Sequence, residues 1–133
     1  MGERAEHVRR WLERAEHDLR TAETMLDVPD PPVDVACFHA QQCVEKCLKA
    51  FLSAANVDAP RTHDLVRLLD MCVDRDARLD ALRDTARALA DYAVTTRYPD
   101  EWRDIPIDEG RDAAERARAA IALVRPLVLP AEK

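Results

Sequence analysis

The chain has 133 residues, 47% of them hydrophobic and 35% charged, with 26 acidic and 20 basic side chains and a formal charge of −6. That length suits one domain with its own core, read as residues 1–133, and excludes two domains of ordinary size. The interspersed, acidic balance excludes a broad basic face for non-specific nucleic-acid binding and leaves only a local basic pocket.

The segment from Met1 to Arg20 is dense in Glu and Arg and lacks the apolar run of a signal peptide. The longest uncharged stretch in the middle of the chain, Val35 to Val44, is half a bilayer span. A cytoplasmic protein without membrane association is expected. Its four cysteines, Cys37, Cys43, Cys47 and Cys72, are then expected to be reduced thiols.

Glycine occurs only at positions 2 and 110, and Ala, Leu, Arg and Glu dominate, so helix is favoured throughout. The first helix is expected from about Arg4 to Leu26. Val8, Trp11, Leu12, Ala15, Leu19, Ala22 and Leu26 form its apolar stripe, and Glu6–Arg10 and Glu16–Arg20 its i,i+4 pairs. The run Val28-Pro-Asp-Pro-Pro-Val33 breaks it. Asp34 is the expected cap of a second helix reaching about Ala55, stopped at Asn56 and Pro60. Thr62 is the expected cap of a third helix carrying Leu65, Leu68, Leu69, Cys72 and Val73. Asp76 opens a fourth with a stripe of Leu79, Leu82, Ala86, Leu89 and Ala93, ending near Arg97 because Pro99 pushes Tyr98 out of the helical region. Tyr98 to Ile107 reads as an ordered loop holding Trp102. Asp108 opens the last helix, which Pro126 is expected to stop. Short connections between amphipathic helices predict an all-α, up-and-down bundle of about five antiparallel helices.

Three stretches stand in order: Ala15-Glu-His-Asp-Leu19; Phe38-His-Ala-Gln-Gln-Cys-Val-Glu-Lys-Cys-Leu-Lys-Ala50 followed by Arg61-Thr-His-Asp-Leu65; and Thr96-Arg-Tyr-Pro99. Together they resemble the HEPN family over nearly the whole chain. The resemblance implies a helical bundle, commonly a homodimer, often encoded beside a minimal nucleotidyltransferase, with ribonucleases and toxins of toxin–antitoxin pairs among its members. It also exposes a departure. Ribonuclease members carry an Arg followed four to six residues later by His, late in the chain. Here Arg97 is followed by Tyr-Pro-Asp-Glu-Trp-Arg-Asp, and the last histidine is His63. RNA cleavage needs a group that moves the 2′-hydroxyl proton, for which imidazole suits neutral pH.

The candidate ligand-binding residues are Gln42, Glu45, Lys46 and Lys49 on helix two, with Arg97 and Tyr98 after helix four. The two lysines and Arg97 suit phosphate, Gln42 and Glu45 suit a base or ribose, and Tyr98 offers a stacking ring. Two plainer readings stand beside this one: a solvated face with a Glu45–Lys49 pair, or a polar seam that holds Arg97 in place. His39, Cys43 and Cys47 fall four residues apart, but a zinc site needs a fourth ligand from Cys72 or His63. The cysteines read instead as small apolar residues, and neither metal nor cofactor is expected. His63 reads as structural support for helix three, and the two tryptophans as core or interface anchors.

The leading expectation is a binding module, homodimeric through apolar surface at Phe38, Trp102 and Leu127–Leu129. It would act with a nucleotidyltransferase-like partner and bind nucleotide or RNA. The alternatives are a metal-independent, toxin-like ribonuclease using Arg97, and a ligand-free interaction protein. The missing late histidine weighs against an enzyme.

Overall fold

The computed structural model describes residues 2–93 and 99–129, and within them the chain is helical with no strand. Five α-helices follow one another: α1 (Glu3–Leu26), α2 (Val33–Ala54), α3 (Leu65–Val73), α4 (Arg83–Leu89) and α5 (Ile107–Val128). Short 3₁₀ segments flank α4, at Ala77–Leu82 and Ala90–Ala93, and another turn covers Pro99–Glu101.

The apolar stripe of α1 is the buried one: Val8, Leu12, Ala15, Leu19, Ala22 and Leu26 all face inward. Against it lies α2, antiparallel, with Trp11 beside Lys49 and Asp18 beside His39 and Lys46. Helix α5 also runs antiparallel to α1, pinned by ion pairs of Arg125 with Glu16 and Arg118 with Glu23. It therefore lies parallel to α2. Gly110 meets Val33 at one end of that contact, and Cys43 Sγ reaches the Ala117 carbonyl at 3.8 Å further along. All four cysteines are buried and free, and their small side chains let α2 approach α3 and α5 closely.

Several helix ends depart from expectation, each for a local reason. Pro32, not Asp34, precedes the first turn of α2, and Asp34 sits inside that turn, where its charge complements the helix dipole. Asp64 caps α3 by accepting from the Arg67 amide at 3.2 Å, while Thr62 Oγ1 instead accepts the Asp64 amide at 3.1 Å. Asp76 does cap, but what it opens is 3₁₀: Leu79, Leu82, Ala86 and Leu89 keep the predicted inward stripe, whereas Ala93 is only half-buried. Pro126 does not stop α5. A proline one turn from a helix end gives up a single backbone bond, and Leu129 still donates to the Arg125 carbonyl at 2.8 Å. The Asn56 stop is a left-handed residue at φ 58°. Its amide and that of Val57 close back on Ser53 and Leu52, which satisfies the last carbonyls of α2. Glu6 reaches Arg10 at 4.0 Å, but Glu16 turns to α5 rather than to Arg20. Among the described residues no helix is long and apolar enough to cross a membrane.

Candidate functional site

Polar side chains run along the contact of α1 with α2, in a bundle whose core elsewhere is apolar but for Thr85 on α4. Two carboxylates organise them. Asp18 on α1 is 8% exposed, although it falls within the core-facing stripe of its helix. Its Oδ1 accepts from His39 Nδ1 at 2.9 Å, and its Oδ2 accepts from the Lys46 ammonium. Glu45 on α2 is 3% exposed. Its Oε1 accepts from His63 Nδ1 at 2.9 Å and its Oε2 from Lys49 Nζ at 3.1 Å. Each carboxylate thus holds one imidazole and one ammonium. A buried carboxylate persists only when paired and hydrogen-bonded in this way.

Amides join the row. Gln41, fully buried, donates to Glu45 at 3.5 Å and to the His63 carbonyl at 3.3 Å, and accepts from Gln42 at 2.6 Å. The Lys49 ammonium lies 5.6 Å from the Trp11 ring centre, within cation–π range. Among the described residues no buried side-chain nitrogen or oxygen lacks a partner. The acids are enclosed while their cations stay partly open, with the Lys46 side chain 22% exposed and the His39 side chain 29%.

Gln42, Glu45, Lys46 and Lys49 therefore occupy one seam. The Glu45–Lys49 pair forms, but as a buried pair and not on a solvated face. Arg97 and Tyr98 lie outside the described residues. Four residues left out of the candidate set belong to the seam: Asp18, His39, Gln41 and His63. The signal for Asp18 was present in the sequence, as an acid three residues after Ala15 and four before Ala22 on an apolar stripe. His63 supports the entry to α3, as expected, and also closes over Glu45 from the residue before the Asp64 cap. His39 turns to Asp18, away from the cysteines. Among the described residues no group of three or more His, Cys, Asp or Glu side chains is placed to hold a metal ion.

Three of the buried thiols are held protonated by their surroundings. Burial pushes Cys37 up to about 11 and Cys72 up to about 12, and Cys43 rises because it shares a hydrogen bond with Cys47 in the dry interior. A second polar cluster stands where α4 ends and α5 begins. There Glu109 accepts two bonds from Arg103, at 3.1 and 2.6 Å, and another from the Tyr92 hydroxyl. Arg103, then Tyr92, hold the Glu109 carboxyl below its ordinary range, and burial raises Tyr92. A cleft of about 270 Å³ opens beside them, lined by Leu89, Asp91 and Asp112 among others. Trp102 is 68% exposed, so it is no core anchor in the single chain, while Phe38 is half-buried with its ring edge-on to His39.

Comparison with known proteins places this geometry. TT1696 from Thermus thermophilus, known as a crystal structure, is 32% identical and superposes with a TM-score of 0.75, over 89% of this chain and 95% of that one. The crystal structure of ST0689, described as an archaeal HEPN homologue, shares the fold at 24% identity and a TM-score of 0.70, over 91% and 97% of the two chains. No curated protein matches the sequence significantly. The HEPN domain model matches residues 8–129, which contain both carboxylate-centred sets, and the chain belongs to the HEPN domain family.

Proposed function

We propose that the chain is a HEPN-type binding module, homodimeric, that acts with a minimal nucleotidyltransferase and takes nucleotide or RNA on the polar face of α2. The observation that carries this reading is the division of burial along that face. The acids Asp18 and Glu45 are enclosed and Lys49 nearly so, whereas Lys46 and His39 keep a solvent edge, with Gln42 half-buried between them. A ligand phosphate meets cations already held in place, so less side-chain freedom is lost on binding. Arg97 and Tyr98 are proposed to extend the site with a guanidinium for phosphate and a ring for a base. Exposed Trp102 is proposed to lie in the homodimer contact. A light-scattering mass of one chain at micromolar concentration would refute it.

The test is fluorescence anisotropy of labelled single-stranded RNA and of a labelled ATP analogue in low salt, with Lys49→Gln, Gln42→Ala and Arg97→Ala alongside. Loss of a charged hydrogen bond is expected to weaken binding roughly tenfold for Lys49→Gln. No binding of either probe, with no nucleotidyltransferase retained on co-expression, leaves a plain interaction protein. RNA cut in EDTA by the wild type and spared by Arg97→Ala would replace the reading with a ribonuclease.

A further inference from the structure

The four histidines differ in what holds them. His7 and His17 lie on the exposed side of α1, whereas His63 faces the buried Glu45 carboxylate, shared with Lys49, from a side chain that is 69% exposed ahead of α3. His39 is wedged between α1 and α2, its ring edge-on to Phe38 with 5.4 Å between centroids. Its Nδ1 faces the buried Asp18 carboxylate at 2.9 Å. A carboxylate only accepts, so Nδ1 of the neutral ring carries the proton and the lone pair stands on Nε2. Among the described residues nothing hydrogen-bonds Nε2.

A carboxylate behind Nδ1 fixes the tautomer and ring orientation, and it stabilises the positive charge that grows on the ring as Nε2 attacks an electrophile. Lys46 shares that carboxylate through the other oxygen and keeps a solvent edge, which leaves an ammonium on the same partly open stretch of α2 as His39. We propose that His39 is a covalent phosphoryl acceptor, with Nε2 the nucleophile, Asp18 the positioning residue and Lys46 the counter-charge. The Nε2 lone pair forms the N–P bond while the bond from phosphorus to the leaving group breaks with its electron pair. The leaving group takes its proton from solvent, and Nδ1 keeps its own against Asp18. The donor class is a small activated phosphate, an acyl phosphate or a phosphoramidate. The inference does not require the face to hold nucleotide or RNA.

The experiment treats the full chain with potassium phosphoramidate, whose leaving group is ammonia, and follows each histidine by mass spectrometry under alkaline handling. His39 is expected to be labelled roughly tenfold faster than His7 and His17 despite its lower exposure. Asp18→Leu is expected to lower the His39 rate about tenfold while leaving His7 and His17 unchanged. In the same variant a long-range nitrogen–proton NMR spectrum should show His39 leaving the Nδ1–H tautomer. If Asp18→Leu fails to fold, the order of labelling in the wild type decides alone. Rates with His7 and His17 level with or ahead of His39 overturn the proposal, as does a His39 rate unchanged in a folded Asp18→Leu; His63, which Glu45 backs in the same way, is not a reference for exposure.

Discussion

Removing the Glu45 carboxylate tests whether the seam is as tightly coupled as its geometry implies. Glu45 and Lys49 stand 3.1 Å apart with side chains 4% and 13% exposed. At an effective dielectric of about 20 their attraction is about 5 kcal/mol, against a desolvation cost of several kcal/mol for each ion. The two nearly cancel, so the intact pair adds little net stability. Breaking it is another matter. Glu45→Leu leaves an enclosed ammonium over Trp11 and strips partners from His63 and Gln41, at an expected cost of about 3–5 kcal/mol. Lys49→Met is milder, because His63 and Gln41 still donate to Glu45, and should cost about 1.5–3 kcal/mol, the range for hydrogen bonds to a charged group. The double variant Glu45→Leu/Lys49→Met replaces the pair by apolar volume and should lie within about 1.5 kcal/mol of wild type. Urea unfolding followed by helical circular dichroism at neutral pH gives all three values as a double-mutant cycle. A cost below about 1 kcal/mol for Glu45→Leu, or single costs that simply add in the double variant, would refute this account of the seam. The folded double variant would also show whether ligand binding needs the ions or only the helix face.

Two further outcomes follow from the packing. Gly110→Ala should destabilise by about 1–3 kcal/mol although alanine is the better helix former, because its Cβ would sit 2.6 Å from Val33 Cγ1 and 2.9 Å from Leu26 Cδ2; an unchanged or raised melting temperature would show that Val33 gives way freely. The buried thiols should make the protein alkali-labile: above the ordinary thiol range the unfolded chain loses protons that folded Cys37, Cys43 and Cys72 retain, so stability falls as pH rises, by up to about 1.4 kcal/mol per pH unit for each thiol. Urea midpoints at pH 8, 9 and 10 check this, and Cys72→Ala should flatten the decline by one thiol's share; a midpoint level across that range would defeat it.

The sequence alone determined where the main helices run and which apolar stripe each turns inward. Periodic leucines and alanines place α1, α2, α3 and α5, the proline run and Asn56 end two of them, and the Gln-Gln…Glu-Lys…Lys-Ala pattern on α2 carries the family. These are properties of neighbours three or four residues apart, which share a helix face whatever the rest of the chain does. Tertiary structure decided the partners. Whether Glu16 meets Arg20 or Arg125, whether Asp18 is a surface acid or the anchor of His39 and Lys46, and whether Glu45 sits in water or beneath His63 all depend on how α1, α2, α5 and the segment before α3 come together. Such contacts join residues at least 18 positions apart, the shortest being Glu45–His63, and no local period encodes them. An ion's surroundings become a fact about it only once a second helix removes the water.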